Sequence, residues 1–251
     1  MAKRVAIVTG SNKGIGFAIV KALCSKFDGD VFLTARNEER GKSAVEKLKA
    51  EGLNPKFHLL DIEDIDSIKS LAAFIKSEYG GLDVLVNNAA IAYKMADTAP
   101  FAEQAENTTK INFLQHTIVV NMSSSAGQLS YIPDKNLQQK FLSESLTEEQ
   151  LCDLMKQFIL KMEQIVIHVG GCCTWGVQCN CSRQTELRTA VSWKVHPGYV
   201  DTDMTSHKGV LTPEQGAEAP VYLALLPPNV ETPRGEFVWN DKTVKSWIGA
   251  A

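Results

Sequence analysis

Short β-branched and apolar runs alternate along the chain with longer amphipathic stretches. Val5-Ala-Ile-Val8 is an unbroken apolar run, as expected of a strand buried on both faces. Thr9 and the glycines Gly10, Gly14 and Gly16 follow, then Phe17-Ala-Ile-Val-Lys-Ala-Leu23 at helical spacing. Asp30 to Arg36 predicts a second strand. Glu39 to Gly52 predicts an amphipathic helix with Ala44, Val45 and Leu48 on one face and Gly52 at its C-terminal cap. Lys56 to Leu60 predicts a third strand. Asp64 to Tyr79 predicts a third helix, with Ile68, Leu71, Ala72 and Ile75 on its inner face, and Asp83 to Asn87 a fourth strand. Strand and helix thus alternate four times, at a repeat of roughly 25–30 residues, the pattern of a parallel sheet covered by helices.

Further along, Ile118 to Ser124 and Ala190 to His196 predict a fifth and a sixth strand. Pro213 to Leu226 predicts a helix with proline in its first turn, and Gly235 to Trp239 a last strand. Thr147-Glu-Glu-Gln150 predicts a helix start with a capping box, followed by Leu151, Leu154, Met155 and Phe158 at helical spacing. The expected fold is a single α/β domain over residues 1–251, a doubly wound parallel sheet of Rossmann type.

Composition narrows the function classes. The chain has 251 residues, 44% hydrophobic and 22% charged, as ordinary globular domains do. A net charge of −3 supplies no basic field for nucleic acid or an anionic membrane. No apolar run approaches a membrane span, and Met1-Ala-Lys-Arg4 leads straight into a strand with no secretory leader. A cytoplasmic protein with reduced thiols is expected, its six cysteines not forming a disulfide framework.

The candidate chemistry lies at the carboxyl ends of the strands, where open α/β sheets bind ligands. A strand, a glycine turn and a helix in succession form the context of a dinucleotide-binding loop. Glycine permits a tight turn and close approach to a pyrophosphate, and the free N–H groups of the helix start meet its charge. The spacing here is G-x-x-x-G-x-G, and a plain strand-to-helix turn is the alternative. Just past the second strand stands Arg36, where an arginine accommodates the 2′-phosphate of NADP and an acid favours the 2′-OH of NAD. Lys13 adds a second cation, so NADPH is the expected cofactor. The alternative is that Lys13 and Arg36 are solvated surface charges. Asp61-Ile62 and Asn87-Asn88-Ala89-Ala90 close the third and fourth strands.

Thr9-Gly10-x-x-x-Gly14-x-Gly16, Asp61 and Asn87-Asn88-Ala89 resemble the short-chain dehydrogenase/reductase family. The closer likeness is to its monomeric carbonyl reductases. It is carried by Thr9 to Gly16, Leu33-Thr-Ala-Arg36, Tyr79 to Asn88, Leu137 to Phe141, Pro197 to Met204 and Pro220 to Pro228. Ala90 departs from the family's usual glycine. The resemblance implies NADPH-dependent reduction of small carbonyl compounds such as quinones, aromatic ketones and aldehydes, by a monomer. It assigns the cofactor to Gly10, Ser11, Asn12, Lys13, Gly14, Ile15, Gly16, Arg36, Asp61, Ile62, Asn88, Ala89, Val200 and Thr202. It assigns catalysis to Ser124, which hydrogen-bonds the substrate oxygen, and Asn112, which helps a water relay protons. Tyr93 and Tyr199 match positions that line the family's substrate pocket.

Two regions depart from that pattern. About 20 residues of the family's pattern are missing between Asn112 and Ser124. The family's proton-donating tyrosine and its lysine four residues on are also missing from the stretch of about 164–190. That stretch instead carries Cys172, Cys173, Cys179 and Cys181, whose spacing is not that of a zinc knuckle, so no metal is expected. A misjoined coding segment would produce such a change. Tyr131-Ile-Pro-Asp-Lys135 repeats the Tyr-x-x-x-Lys spacing, but Pro133 bars the helical turn that would pair the two side chains. The alternatives to a working reductase are therefore a catalytically impaired NADPH-binding protein and a defective isoform that lacks the Tyr-x-x-x-Lys pair and never packs. His196 is expected to be a structural histidine.

Overall fold

The computed structural model describes residues 3–90, 120–125, 128–132, 134–143, 146–147, 150, 153–154, 193–227, 230, 232–233 and 236–246. Eight strands form one sheet: β1 (Val5–Val8), β2 (Asp30–Ala35), β3 (Lys56–Leu59), β4 (Val84–Asn87), β5 (Val120–Met122), β6 (Trp193–His196), β7 (Phe237–Trp239) and β8 (Val244–Lys245). Their order is β3-β2-β1-β4-β5-β6-β7-β8. All neighbours pair in parallel except β7 and β8, which pair antiparallel. The doubly wound sheet expected from the alternation is therefore present, with its order reversing between β1 and β4. The two-residue β8 is an addition at the edge. It follows a tight turn in which Lys242 has φ +67° and Trp239 N–H donates to Thr243 O.

Among the described residues five α-helices accompany it: α1 (Gly14–Lys26), α2 (Glu38–Ala50), α3 (Ile65–Tyr79), α4 (Lys135–Phe141) and α5 (Pro213–Ala224). Alternate residues of the buried strands face opposite sides. Ala6 and Val8 of β1 join one core with Ile19, Leu23, Val45, Leu48, Ala217 and Val221, from α1, α2 and α5. Val5 and Ile7 join a second with Phe32, Leu71, Ile75 and Leu85, under α3. Burial on both faces explains why β1 reads as a continuous apolar run.

The helix ends follow the sequence signals. Asn37, Asp64 and Asp134 cap α2, α3 and α4 with side-chain oxygens, and Thr212 and Gln215 form a full capping box on α5. Thr147 and Gln150 make the predicted reciprocal bonds, Thr147 N–H to Gln150 Oε1 at 2.9 Å and Gln150 N–H to Thr147 Oγ1 at 3.2 Å. Of the apolar positions expected after them, Leu154 is buried, while Leu151, Met155 and Phe158 lie outside the described residues. Tyr131 closes a 3₁₀ turn, and Lys135 opens α4 behind its cap Asp134. The two therefore belong to different elements, as Pro133 led us to expect.

Candidate dinucleotide site at the carboxyl ends of the strands

The turn after β1 is held by its own polar side chains. Thr9 Oγ1 accepts the backbone N–H groups of Asn88 at 3.0 Å and Ala89 at 2.9 Å, fastening the end of β1 to the end of β4. Ser11 is fully buried. Its hydroxyl donates to Val8 O at 2.7 Å and accepts Thr34 N–H at 3.0 Å. Ser11 thus serves the turn through its side chain, tying it to β2.

Asn88 is the central brace. Its amide nitrogen donates to both Thr9 O and Gly10 O, each at 3.0 Å. Gly16 leaves room for that amide: a Cβ there would collide with it and lie 2.9 Å from Gly10 O. Gly10 sits at φ +58°, in the left-handed region that glycine occupies without strain, and a Cβ on it would stand 2.8 Å from Ala89 Cβ. The glycines thus shape this turn through conformation at Gly10 and close packing at Gly16.

The loop delivers the chain into α1, whose N-terminus differs from those of the other described helices. Lys13 is its N-cap residue, makes no side-chain capping bond, and no acid stands in the first turn. The orphan N–H groups and the positive end of the helix dipole are thus not answered by a side chain, an arrangement suited to an anion. Lys13 and Arg36 are both exposed. Lys13 is ion-paired with Asp203, and Arg36 lies 3.6 Å from Glu63. Glycine conformation, an uncapped helix start and two cations together fit a phosphorylated dinucleotide.

The remaining predicted positions fall around the same edge. Asn12, Ile15, Asp61, Ile62, Ala89 and Ala90 are half-buried. Asp61 Oδ1 accepts Glu63 N–H at 3.0 Å, and Asp61 N–H donates to Ser67 Oγ at 3.0 Å, which orders the turn leading into α3. Beyond β6 the chain folds into a closed loop. Val200 is buried, and Val200 O accepts Thr205 Oγ1 at 2.6 Å. Thr202 is half-buried, and its N–H donates to Thr205 Oγ1 at 3.1 Å.

Ser124 is half-buried in the turn that follows β5. Ser123 N–H donates to Val195 O at 2.7 Å, and Ser125 N–H donates to His196 Nδ1 at 3.3 Å. His196 thus orients the serine turn. Its ring meets Trp239 edge-on at 5.1 Å, and burial lowers its pKa, keeping the accepting nitrogen free of a proton. Tyr199 is exposed at the mouth of the β6 loop. Asn112, Tyr93 and the stretch of about 164–190 with its four cysteines lie outside the described residues.

Two features went unread in the sequence. Asn87 Nδ2 donates to Asn121 Oδ1 at 2.9 Å, and Asn121 Nδ2 to Trp193 O at 3.4 Å, a buried polar link across β4, β5 and β6. Polar residues inside otherwise apolar strands were the signal. The second is His207, which bonds Asp201 at 2.8 Å and Asp203 at 3.1 Å. Its spacing from these acids carries no motif.

A reversing parallel sheet with a glycine turn, an uncapped helix start and paired asparagine and serine turns defines a dinucleotide-binding α/β protein. The family model described as short chain dehydrogenase matches residues 4–127. The chain is 46% identical over 275 residues to carbonyl reductase 1 of Mus musculus, a protein named for NADPH, covering 97% of this chain and 98% of that protein. It is 45% identical over 280 residues to the Homo sapiens counterpart, with the same two coverages. Both alignments run longer than the chain's 251 residues, so these relatives carry residues that this chain lacks. Among solved structures, salutaridine reductase from Papaver somniferum matches with a TM-score of 0.79 at 31% identity, covering 94% of this chain and 99% of that one. The chain belongs to the short-chain dehydrogenase/reductase family.

Proposed function

We propose that this chain reduces carbonyl compounds, among them quinones, aromatic ketones and aldehydes, with NADPH. The observation that carries this reading is near-full-length identity of 45–46% to carbonyl reductases named for NADPH. The site supports it with a glycine turn, an uncapped α1 and two cations where a 2′-phosphate would be read. In this reading Gly10 to Gly16 hold the pyrophosphate, Lys13 and Arg36 the 2′-phosphate, and Asp61 and Ile62 the adenine side. Asn88 and Ala89 support the ribose end, and Val200 and Thr202 the nicotinamide amide. Bound NADPH supplies the hydride.

Hydride addition builds negative charge on the substrate oxygen, and in this reading Ser124 donates the hydrogen bond that meets it. Asn112 orders a water that relays protons. With no Tyr-x-x-x-Lys in the family position, the proton comes from water or another side chain. Losing a positioned general acid lowers the rate by about 10²–10⁴-fold, which still leaves measurable turnover. We take residues 1–251 as one domain, acting as a cytoplasmic monomer on small molecules, with no nucleic-acid or membrane partner. No helix among the described residues is long and apolar enough to cross a membrane. The test is NADPH consumption by the purified chain with a quinone, beside Ser124→Ala. Consumption that the variant loses supports the assignment; no consumption by folded protein overturns it.

A further inference from the structure

Lys13 and Arg36, the two cations expected to read a 2′-phosphate, each face a carboxylate in the structure. Arg36 meets Glu63 at 3.6 Å, loosely. Lys13 meets Asp203 directly, and Asp203 is set on a braced platform. Ser206 and His207 run at φ +52° and +58°, which turns the chain back on itself. His207 N–H donates to Thr202 O at 3.0 Å, and Ser206 N–H to Asp203 O at 3.1 Å. The His207 ring then lies between Asp201, at 2.8 Å from Nδ1, and Asp203, at 3.1 Å from Nε2. Asp203 therefore uses one carboxylate oxygen on His207 and the other on Lys13. The same loop packs on the glycine turn, since a Cβ on Gly14 would lie 3.4 Å from Thr202 Cγ2.

An ammonium that gives one of its three N–H donors and part of its charge to a carboxylate has less of both to give a dianionic phosphate. We propose that Asp203 is a cofactor-selectivity residue. Its carboxylate, oriented by His207, competes with the 2′-phosphate for Lys13, so it lowers affinity for NADPH while leaving affinity for NADH alone. This rests on the reading above that Lys13 takes the 2′-phosphate. An exposed ion pair supplies little, so the competition changes affinity only about two- to fivefold. Asp203 is exposed, and its replacement disturbs no core contact.

The experiment is titration calorimetry of NADPH, NADH and the fragment 2′,5′-ADP with the wild-type chain, Asp203→Asn, Lys13→Ala and the double variant. Asp203→Asn is expected to bind NADPH and 2′,5′-ADP about two- to fivefold more tightly, with NADH unchanged. In the Lys13→Ala background the same change is expected to do nothing, because the contested cation is gone. Equal changes for NADPH and NADH would mean that Asp203 acts on the loop as a whole and would overturn the proposal. Weaker or unchanged NADPH binding by Asp203→Asn would overturn it too. A folded wild-type chain that binds neither dinucleotide would instead refute the cofactor reading on which the proposal rests.

Discussion

Asn88 gives the sharpest prediction, because one amide nitrogen holds two carbonyl oxygens of the glycine turn at 3.0 Å each. Asn88→Ala removes both bonds. At a net ~0.5–1.5 kcal/mol each, the loss is about 2 kcal/mol. Asn88→Asp keeps the shape but cannot donate when ionised. It sets a carboxylate oxygen against the oxygens of Thr9 and Gly10 in a half-buried place, so its cost is larger, about 3–4 kcal/mol at neutral pH. Protonation restores a donor, so the folded-state pKa of the introduced acid is raised. Stability from such a group is present below the unfolded carboxylate pKa, about 3.9, and is lost as pH rises through the folded value. The Asp variant should therefore regain ground on the wild type as pH falls from 7 toward 5, and the Ala variant should not. Urea denaturation of the three proteins at both pH values measures this, with unchanged slopes showing that only stability has moved. An Asp variant as stable as the Ala variant at pH 7, or a gap that does not change with pH, would refute the claim that the amide nitrogen braces the turn.

Three further outcomes follow from the structure. Burial by itself would raise the pKa of Asp30, but Lys3 at 2.5 Å and Lys56 and the Tyr79 hydroxyl at 2.7 Å prevail and hold it at about 2. That depression is worth about 2.5 kcal/mol above the unfolded carboxylate pKa and fades as pH falls through the native value, so Asp30→Asn should cost about that much at pH 7 and roughly half by pH 3 in urea denaturation. Thr212→Ala breaks the α5 capping box and should cost about 1 kcal/mol, a fall of about 2–4 °C in calorimetric Tm. Gly16→Ala should push the Asn88 amide off the glycine turn, weakening NADPH and NADH binding alike in calorimetry.

The sheet was legible because its strands carry their own evidence. A strand buried on both faces tends to a continuous apolar run, as in Val5–Val8, and a strand-to-helix turn that bends through φ +58° asks for a residue such as Gly10. The Thr147–Gln150 capping box was legible for the same reason: each side chain acts on a backbone group three residues away. What the sequence did not disclose depends on distant partners. Nothing near Asn88 in the chain says that its amide turns back to Thr9 and Gly10. Nothing near Lys13 names Asp203, 190 residues on. The sequence did not show that the buried Ser11 hydroxyl ties the ends of β1 and β2 together, donating to Val8 O and accepting Thr34 N–H. The β8 edge was missed because two exposed residues carry no alternation to read.

The most direct test of hydride transfer uses NADPH deuterated at the transferable position of C4, an aromatic ketone and the purified chain, with the alcohol examined by mass spectrometry and NMR. One deuterium on the carbinol carbon is the expected result of hydride transfer, formed by the wild-type chain and lost in Ser124→Ala. A folded chain that binds NADPH yet yields no deuterated alcohol with ketone or aldehyde would contradict it.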